Sequence, residues 1–380
     1  MATRILVVFG TRPEAIKMLP LVKALEAESA LDVRVCVTAQ HRQMLDQALE
    51  LFEVRPDYDL DIMTRAQGLE QITTAVLTGL SAVLDEWRPD RVLVHGDTAT
   101  AMAAALAAFY RKVQVGHVEA GLRSGDPSQP WPEEVNRRLI DVIADQYYTP
   151  TAQTRDNLLR EGAQHDAVHL TGNTVIDALL MMADRVEREP ALAASLAASF
   201  SYLDPHRPLL LVTGHRRENF GQPLLDICAA ISELARAHPL QVVYPIHPNP
   251  NVRGPVREML SDTPHVHLVE PLEYLPFVYL MTRSYAILTD SGGIQEEAPS
   301  LGKPVFVTRN VTERPEAVAA GTVELVGTDR PTIVERVGRI FTADGAHQQM
   351  SRRINPYGDG RASSRIADIL VGRKMREFQP

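Results

Sequence analysis

The chain has 380 residues, of which 45% are hydrophobic and 23% charged, and it carries a net charge of -9. This composition is typical of a globular protein, and the length allows two domains with ample cores. The acidic balance argues against a nucleic-acid partner or an acidic membrane surface.

Two cysteines, Cys36 and Cys228, lie far apart in apolar runs, so we expect core packing rather than a disulfide, a metal site or a nucleophile. The sequence shows no signal segment, and no apolar run approaches the ~18 residues of a membrane span. It therefore predicts a cytoplasmic protein that does not cross a membrane.

In the first half, three buried strands each end in charged residues. Gly-Thr-Arg-Pro follows the first strand and opens a helix, which places Arg12 and Lys17 near that strand's carboxyl end. Two later strands end in Asp97 and Glu119, the latter accompanied by His117. Open α/β sheets bind ligands at the carboxyl ends of their strands, so the sequence predicts a site at this edge. The predicted strands include 4–9, 33–38, 91–97 and 113–122. One helix is predicted after a loop within 39–51 and another at 69–87. The segment 56–68 between them is predicted to be an irregular connection.

A proline-rich segment, 123–138, opens an amphipathic helix that we expect to continue to Asp145. Glu133 and Glu134 stand in its first turn, where they either complement the helix dipole or serve a site. Strands and helices alternate up to a charged, alanine-rich helical stretch at 184–199, and we place the domain boundary in this region. We expect residues 1–190 to form the first domain, residues 191–359 to form the second, and a last helix, 360–375, to pack back on the first.

The second half repeats this alternation, and one of its strands runs into a glycine turn, LTDSGGIQEEAPSLGKPVFV. Backbone amides of this turn, and of a helix that we expect to begin at Ile294, can point at one anion, with Ser291 at a position suited to an N-cap. Glu297 follows one turn later, where a carboxylate can chelate two vicinal hydroxyls of a ribose. For the two glycines alone, an ordinary βαβ loop is the alternative. Elsewhere in this half, His215 follows a strand end and Arg314 lies in a loop after a further strand.

These residue types indicate a class of chemistry. Cationic groups and a glycine turn suit a diphosphate, whereas several carboxylates and a histidine suit a reaction that gains or loses protons. The sequence has no HExxH, no cluster of Cys and His and no Walker A pattern, so we expect no metal ion. It has no GxGxxG after its first strand, so we expect no NAD and no other cofactor.

Ten strings, spread over nearly the whole chain, carry a family resemblance. They are FGTRPEAIKMLPLV (9–22), TAQHRQMLDQ (38–47), VHGDTAT (94–100), VGHVEAGLRSGD (115–126), PWPEEVNRR (130–138), TGNTVIDAL (171–179), VTGHRRENFG (212–221), EYLPFVYLM (273–281), LTDSGGIQEEAPSLGKPV (288–305) and TERPEAVAAGTVELVGTD (312–329). The chain resembles the non-hydrolysing UDP-N-acetylglucosamine 2-epimerases. This resemblance implies an α/β fold of two Rossmann-like doubly wound domains, of the glycosyltransferase-B type, that face each other across a cleft.

The resemblance also implies a reaction and residue roles. UDP-GlcNAc and UDP-ManNAc would be interconverted by anti elimination of UDP to 2-acetamidoglucal, followed by re-addition. The resemblance assigns the diphosphate to Ser291, Gly292 and Gly293, the ribose to Glu297, the uracil pocket to Phe277, the phosphate charge to Arg12 and Arg314, and the surroundings of the sugar to Lys17, Asp97, Glu119, Glu133 and His215. Among these, Asp97, Glu119, Glu133 and His215 are the predicted catalytic residues.

Bacterial members of the family bind a second UDP-GlcNAc as an activator, and they are dimers, so a homodimer is expected here. The residues that match their activator site are Gln40, His41, Gln43, Glu134, Arg216 and His247. One further family arginine falls on Ala66, beside Arg65, and Leu272 stands where some relatives carry Gln. The departure at Ala66, but not that at Leu272, bears on the strength of the expected activation.

Two other activities use similar residues. A hydrolysing epimerase would release free ManNAc and UDP, but the chain matches the non-hydrolysing strings in full and carries no fused kinase domain. A glycosyltransferase would pass the sugar to an acceptor, and a basic membrane-docking patch or an acceptor groove would favour it. Neither feature is evident in this acidic chain.

Overall fold

Two parallel β-sheets, one of seven strands and one of six, form the framework of the described chain. The structure is a computed structural model that describes residues 2–39, 42–64, 67–343, 345–352 and 354–379. Every pairing between neighbouring strands of the two sheets is parallel. Parallel strands need crossover connections, and helices supply most of them here.

The first sheet has the order β3-β2-β1-β4-β5-β6-β7. Its strands are β1 (Thr3–Phe9), β2 (Leu31–Val37), β3 (Tyr58–Asp59), β4 (Arg91–His95), β5 (Gln114–Val118), β6 (Gln146–Thr149) and β7 (Val168–Leu170). The last five residues of β1, and all of β4, are buried, as expected for central strands covered on both faces. The strand order reverses between β1 and β4, and ligands of open α/β sheets bind outside the carboxyl ends of strands at such a point.

Helices cover this sheet and supply most of its core. They are α1 (Arg12–Glu26), α2 (Arg42–Leu51), α3 (Leu69–Trp87), α4 (Ala99–Tyr110), α5 (Glu133–Ile143), α6 (Ala152–Arg160) and α7 (Thr174–Arg188). The alanines at 101, 103, 104, 105, 107 and 108 of α4 are fully buried, so small side chains allow close packing of this helix, as the sequence predicts. Cys36 is buried in the same core and is a free thiol, as predicted.

The second sheet repeats the pattern with the order β10-β9-β8-β11-β12-β13, so that its reversal lies between β8 and β11. Its strands are β8 (Leu209–Thr213), β9 (Gln241–Pro245), β10 (Val266–Val269), β11 (Ala286–Thr289), β12 (Val305–Val307) and β13 (Val323–Leu325). The remaining helices are α8 (Pro190–Ser199), α9 (Gln222–Ala237), α10 (Pro250–Leu260), α11 (Tyr274–Arg283), α12 (Gly292–Glu297), α13 (Pro315–Ala320), α14 (Arg330–Thr342), α15 (Ala346–Ser351) and α16 (Ala362–Leu370). Cys228 on α9 is a buried free thiol, as predicted.

The chain therefore has the predicted α/β architecture of two Rossmann-like doubly wound sheets. It divides into two compact units: unit 1 comprises Met1–Ala178 and Tyr357–Gln379, and unit 2 comprises Leu179–Pro356. Within unit 1, α16 packs on α1, and the Asp177 carboxylate accepts hydrogen bonds from the backbone amides of Ala362 and Ser363 at its first turn. No described helix combines the length and the apolar character that crossing a membrane requires.

Two local predictions are wrong, and one predicted helical stretch is divided in two. The connection over 56–68 is not wholly irregular, because Tyr58–Asp59 adds a two-residue edge strand beside β2. The predicted helical stretch 184–199 is helical but divided: α7 ends at Arg188, and Pro190 begins α8, since proline suits the first turn of a new helix. The helix predicted from Ile294 begins two residues earlier, at Gly292.

Candidate functional site

Unit 1 gathers charged side chains where its strand order reverses. Thr11 caps α1 directly after β1, and Thr98 caps α4 after β4. The two caps are joined by Glu14, which is 2% exposed. Its Oε2 accepts from the Thr11 backbone amide at 2.8 Å and from the Thr11 hydroxyl at 2.7 Å, and its Oε1 accepts from the Thr98 hydroxyl at 2.7 Å. Glu14 therefore fixes the β1–α1 and β4–α4 loops relative to each other.

Glu119 is the centre of the unit 1 cluster. The Lys17 ammonium pairs with its Oε2, the Asn173 amide donates to the same oxygen at 3.2 Å, and His95 Nε2 lies 3.3 Å from it. The carboxylate side chain is only 9% exposed. Burial alone would raise the pKa of Glu119, but the charge of Lys17, supported by His95, outweighs burial and holds the pKa well below its ordinary value. Glu119 is therefore a carboxylate at neutral pH.

The backbone at Glu119 is also unusual. Its φ is +63°, in the left-handed region that residues with a Cβ rarely adopt. Such strain persists only where surrounding contacts hold it, and it often accompanies function. The three side-chain partners described above supply contacts of this kind.

Asp97 lies across the same sheet edge on the β4–α4 loop. The Arg137 guanidinium on α5 pairs with its carboxylate, and the Asn136 amide donates to its backbone carbonyl at 2.9 Å. Helix α5 also carries Glu133, whose Oε2 is buried without a hydrogen-bond partner among the described residues. Buried carboxylate oxygens normally have partners, so this atom is suited to contact a ligand.

Arg12 has a different environment. Although it lies at the first position of α1, it is half-buried, and its guanidinium has no ion-pair partner among the described residues. An arginine held at a strand end without an internal anion is suited to bind a phosphate or carboxylate ligand.

Glu134, by contrast, is an anchor of the loop before α5. Its carboxylate is fully buried and accepts from the Ser124 amide at 2.9 Å, from Arg137 at 3.3 Å and from Arg138 at 2.9 Å. Burial raises the pKa of Glu134, but these hydrogen bonds lower it more. Of the other predicted activator residues in this half, Gln43 is exposed on α2, whereas Gln40 and His41 lie outside the described residues, as do Arg65 and Ala66.

In unit 2, Asp290 organises the loops after β8 and β11. Its Oδ2 accepts from the backbone amides of His215 and Arg216, both at 2.9 Å, while His215 Nδ1 lies 3.2 Å from its Oδ1. Burial raises the pKa of Asp290, but its bonds to His215 and Arg216 lower it more, so the carboxylate is ionised. The His215 ring is 44% exposed and stacks against His247, with ring centroids 5.8 Å apart. His215 is therefore a solvent-facing imidazole oriented by a buried carboxylate.

The glycine turn follows Asp290. Ser291 occupies the N-cap position of α12, as predicted, and its hydroxyl makes no capping bond. A side chain added at Gly292 or Gly293 would meet no protein atom closer than 3.9 Å or 3.7 Å, respectively. A Cβ at either position would therefore make only ordinary van der Waals contacts, so the protein's own packing does not require glycine there.

The Glu297 carboxylate lies beside this turn. Glu297 lies at the end of α12, where Tyr274 donates its hydroxyl hydrogen bond at 3.1 Å. Burial, with the Glu297 charge, raises the pKa of Tyr274 well above its ordinary value, so the phenol keeps its proton and acts as a donor. Phe277 lies one turn after Tyr274 on α11 and is half-buried.

The predicted cations of unit 2 are held by acidic partners. Arg314 pairs with the buried Glu296, and Arg216 lies 3.4 Å from Glu313, which also binds Arg309 at 3.1 Å. The hydrogen bond from Arg309, aided by the charge of Arg216, lowers the pKa of Glu313 to about 2. An arginine cluster with one shared carboxylate thus lies beside the glycine turn, since Arg216 Nη2 is 3.9 Å from the Cβ position of Gly292.

Several organising residues were not predicted. Glu14 completes a capping box with Thr11, a pattern of Thr followed three residues later by Glu that is visible in the sequence. Asp290, at the end of β11, has the weaker signal of an acidic residue directly before a glycine turn. Nothing in the local sequence indicates the roles of Tyr274, Asn173 or His95, because their partners are more than twenty residues away.

Comparison with known proteins identifies the family. The family model described as UDP-N-acetylglucosamine 2-epimerase matches residues 23–371. The chain belongs to the UDP-N-acetylglucosamine 2-epimerase family. A UDP-N-acetylglucosamine 2-epimerase of Yersinia pestis is 57% identical over 373 residues, which cover 98% of this chain and 99% of that protein.

Solved structures of the UDP-N-acetylglucosamine 2-epimerase family share the fold. The crystal structure of the Neisseria meningitidis UDP-GlcNAc 2-epimerase bound to UDP-GlcNAc has a TM-score of 0.89 and 49% identity, covering 98% of this chain and 100% of that one. The Methanocaldococcus jannaschii UDP-GlcNAc 2-epimerase, in complex with UDP-GlcNAc and UDP, has a TM-score of 0.79 and 33% identity, covering 97% and 100%.

Proposed function

We propose that this chain interconverts UDP-GlcNAc and UDP-ManNAc by epimerisation at C2, without net hydrolysis. The observation that carries the proposal is that Asp97 and Glu119, each paired with a fixed cation, follow the neighbouring strands β4 and β5 in a chain of the 2-epimerase family. These carboxylates can exchange protons with a sugar carbon, and the cations can stabilise a departing diphosphate.

The reaction is an anti elimination followed by an addition. A carboxylate takes the proton from C2, the C2–H electron pair forms the C1=C2 double bond, and the C1–O bond breaks so that UDP leaves with its electrons. The intermediate is 2-acetamidoglucal. A proton is then added to the other face of C2 while UDP adds back to C1, so every atom is conserved and no oxidant or reductant is needed.

The C2 proton is only weakly acidic, so charge on the leaving UDP must be stabilised as it develops. We assign this role to the glycine turn Ser291-Gly292-Gly293, to Arg314 and to Arg12. Preorganised cations and backbone amides suit it because they need no reorganisation as charge develops. We assign the ribose to Glu297, which Tyr274 orients, and the uracil to the side chain of Phe277.

We assign the proton transfers to the carboxylates of unit 1. Glu119 is ionised and fixed by Lys17, which suits a group that orients the sugar or accepts a proton. Glu133 has a buried carboxylate oxygen that accepts no hydrogen bond from the described residues, which suits direct contact with the proton at C2. Asp97 is fixed by Arg137, and His215 supplies an imidazole held by Asp290.

The test is product analysis. Purified protein is incubated with UDP-GlcNAc, without metal or NAD, and followed by proton NMR. We expect the anomeric signal of UDP-ManNAc to grow to a stable ratio with UDP-GlcNAc, with no free sugar. Release of free ManNAc with UDP would instead show the hydrolysing reaction, and an unchanged UDP-GlcNAc spectrum would reject both.

We also propose that a second UDP-GlcNAc activates the enzyme through Gln43, Glu134, Arg216 and His247, with Gln40 and His41. Arg216 and His247 support this proposal because both lie beside the exposed His215. If it is correct, the reaction starting from UDP-ManNAc alone shows a lag, and a trace of UDP-GlcNAc removes the lag. A linear start from UDP-ManNAc would reject activation.

We further propose a homodimer. Val135, Leu139 and Val142 lie along one face of α5, where they are 41%, 46% and 84% exposed. Apolar side chains at this helical spacing and exposure are typical of a surface that another protein covers. Light scattering after gel filtration should give twice the chain mass of 42.1 kDa, and a mass of one chain would reject the dimer.

A further inference from the structure

His117 is a buried histidine that has no role in the mechanism above. It lies on β5, two residues before Glu119, and its side chain is fully buried. Both ring nitrogens have close partners: Nε2 lies 2.7 Å from the carbonyl oxygen of Gly96, and Nδ1 lies 2.6 Å from Oδ1 of Asp141. The ring therefore links the end of β4 to helix α5 beneath the candidate site.

The partners determine the protonation of the ring. A carbonyl oxygen can only accept, so Nε2 carries a proton and donates it to Gly96. Asp141 accepts a second hydrogen bond from Arg123 at 2.7 Å. A carboxylate that pairs with a guanidinium at this distance is ionised. Nδ1 must then also donate, and the ring is a doubly protonated imidazolium.

The Gly96 carbonyl belongs to the turn that carries Asp97. Gly96 has a φ of +63°, and its amide donates to the Val118 carbonyl at 2.9 Å. The Asp97 carbonyl accepts from Asn136 at 2.9 Å, and the Asp97 carboxylate pairs with Arg137. With the bond from His117, both polar backbone groups of Gly96, together with the carbonyl and the carboxylate of Asp97, are held in place.

We propose that His117, which donates hydrogen bonds to both Asp141 and Gly96, is a positioning residue that fixes the Gly96 carbonyl and thereby the Asp97 carboxylate. This inference rests on the proposed function, in which Asp97 serves the C2 chemistry. His117 acts through the turn and does not touch the substrate. Substitution of His117 should therefore lower kcat and change KM little, because misplacement of a reacting group raises the barrier of the chemical step more than it weakens nucleotide binding.

Two substitutions distinguish the effect of the hydrogen bond from His117 to Gly96 from the effect of the charge on the His117 ring. In H117Q the side-chain amide can donate to the Gly96 carbonyl as Nε2 does, but it carries no charge. In H117N the shorter side chain places its amide nitrogen near the position of Nδ1 in histidine. It therefore does not reach the Gly96 carbonyl, which is left without its donor. We expect kcat for UDP-GlcNAc to fall about 10-fold in H117Q and about 100-fold in H117N, with KM changed by less than about threefold in both.

A matched control removes polar contacts of α5 without touching the Asp141 carboxylate. The buried Tyr147 hydroxyl donates to the backbone carbonyls of Asp141 and Ala144 at 2.8 and 2.7 Å. Tyr147→Phe should lower the melting temperature and leave kcat unchanged. If H117Q and H117N alter kcat no more than this control, or reduce kcat equally, the positioning role is wrong.

The charge state has its own test, which needs no substrate. Nitrogen-15 NMR of histidine-labelled protein at pH 7.5, with the His117 signals identified by their loss in H117Q, should show both ring nitrogens protonated. In D141N, one of them should become unprotonated. A neutral His117 ring in the wild-type protein would overturn the inference, whereas absence of turnover in the wild-type protein would reject only the proposed function.

Discussion

The buried pair of Lys17 and Glu119 permits a sharp prediction about stability and pH. Lys17→Met keeps the length of the side chain and removes the ammonium. The Glu119 side chain is 9% exposed and the Lys17 side chain 18%, so little solvent screens the pair. Removing one partner of a buried ion pair costs about 3–5 kcal/mol, and we expect the lower end, about 3 kcal/mol at pH 7.5, because His95 and Asn173 remain.

The sign of the pH dependence follows from the direction of each pKa shift. In the wild-type protein the pKa of Glu119 is lowered, so its contribution is present above the unfolded-state pKa and is lost only as pH falls through the folded-state value. In K17M burial is the dominant influence and raises the pKa of Glu119. Its contribution is then greatest in acid and is lost as pH rises through the folded-state pKa. The stability deficit of K17M should therefore be larger at pH 7.5 than at pH 4.5. It should grow by about 1.4 kcal/mol per pH unit only between the unfolded-state and folded-state pKa of Glu119 in K17M.

Urea unfolding followed by tryptophan fluorescence measures this deficit. The chain has two tryptophans, Trp87 and Trp131, and both belong to unit 1, which contains the pair. K23M on the same helix is the matched control, because the Lys23 ammonium donates to the backbone carbonyl of Glu53 and has no ion-pair partner among the described residues. In the double variant K17M/E119Q the extra pH dependence should vanish. Parallel stability curves for K17M and the wild-type protein would refute the reasoning.

Three further changes test other parts of the account. Glu133→Gln should lower kcat about 100- to 10,000-fold if Glu133 transfers a proton. The melting temperature should not fall, because the buried oxygen has no hydrogen-bond partner among the described residues that the substitution would remove. Full activity would exclude a proton-transfer role. Glu313→Gln removes a carboxylate that competes with phosphate for the neighbouring arginines, so calorimetry should show that UDP binds about two- to fivefold more tightly. The control Glu324→Gln also removes the carboxylate partner of two arginines, and it should leave UDP affinity unchanged. Weaker UDP binding in Glu313→Gln would contradict the account. Gly10→Ala places a Cβ 2.1 Å from the Thr38 hydroxyl and should lower the free energy of unfolding by about 1–3 kcal/mol. An unchanged melting temperature would contradict this close packing of Gly10 on Thr38.

Much of the fold is predictable because parallel strands leave a simple record in the sequence. Buried strands such as β1 and β4 are continuous apolar runs, and their carboxyl ends must lie at one edge of the sheet. For this reason Lys17 and Glu119, which are 102 residues apart, can be predicted to lie near each other. The structure shows their contact directly.

The pairing of individual groups is less predictable because it depends on tertiary contacts. Glu14 has a local signal through the Thr11 cap, yet its bond to Thr98, 84 residues away, has none. The positive φ of Glu119 is also hidden, since sequence reasoning expects glycine at such a conformation. The two-residue strand β3 escapes prediction because it is too short to show an alternating pattern.

The most direct test of the central claim is proton exchange at C2. The protein is incubated with UDP-GlcNAc in D2O, and the sugar nucleotides are examined by proton NMR and mass spectrometry as equilibrium is reached. The account predicts UDP-ManNAc with one deuterium at C2, and gradual entry of deuterium at C2 of the remaining UDP-GlcNAc. Formation of UDP-ManNAc that retains its C2 proton would contradict elimination through the carboxylates of unit 1.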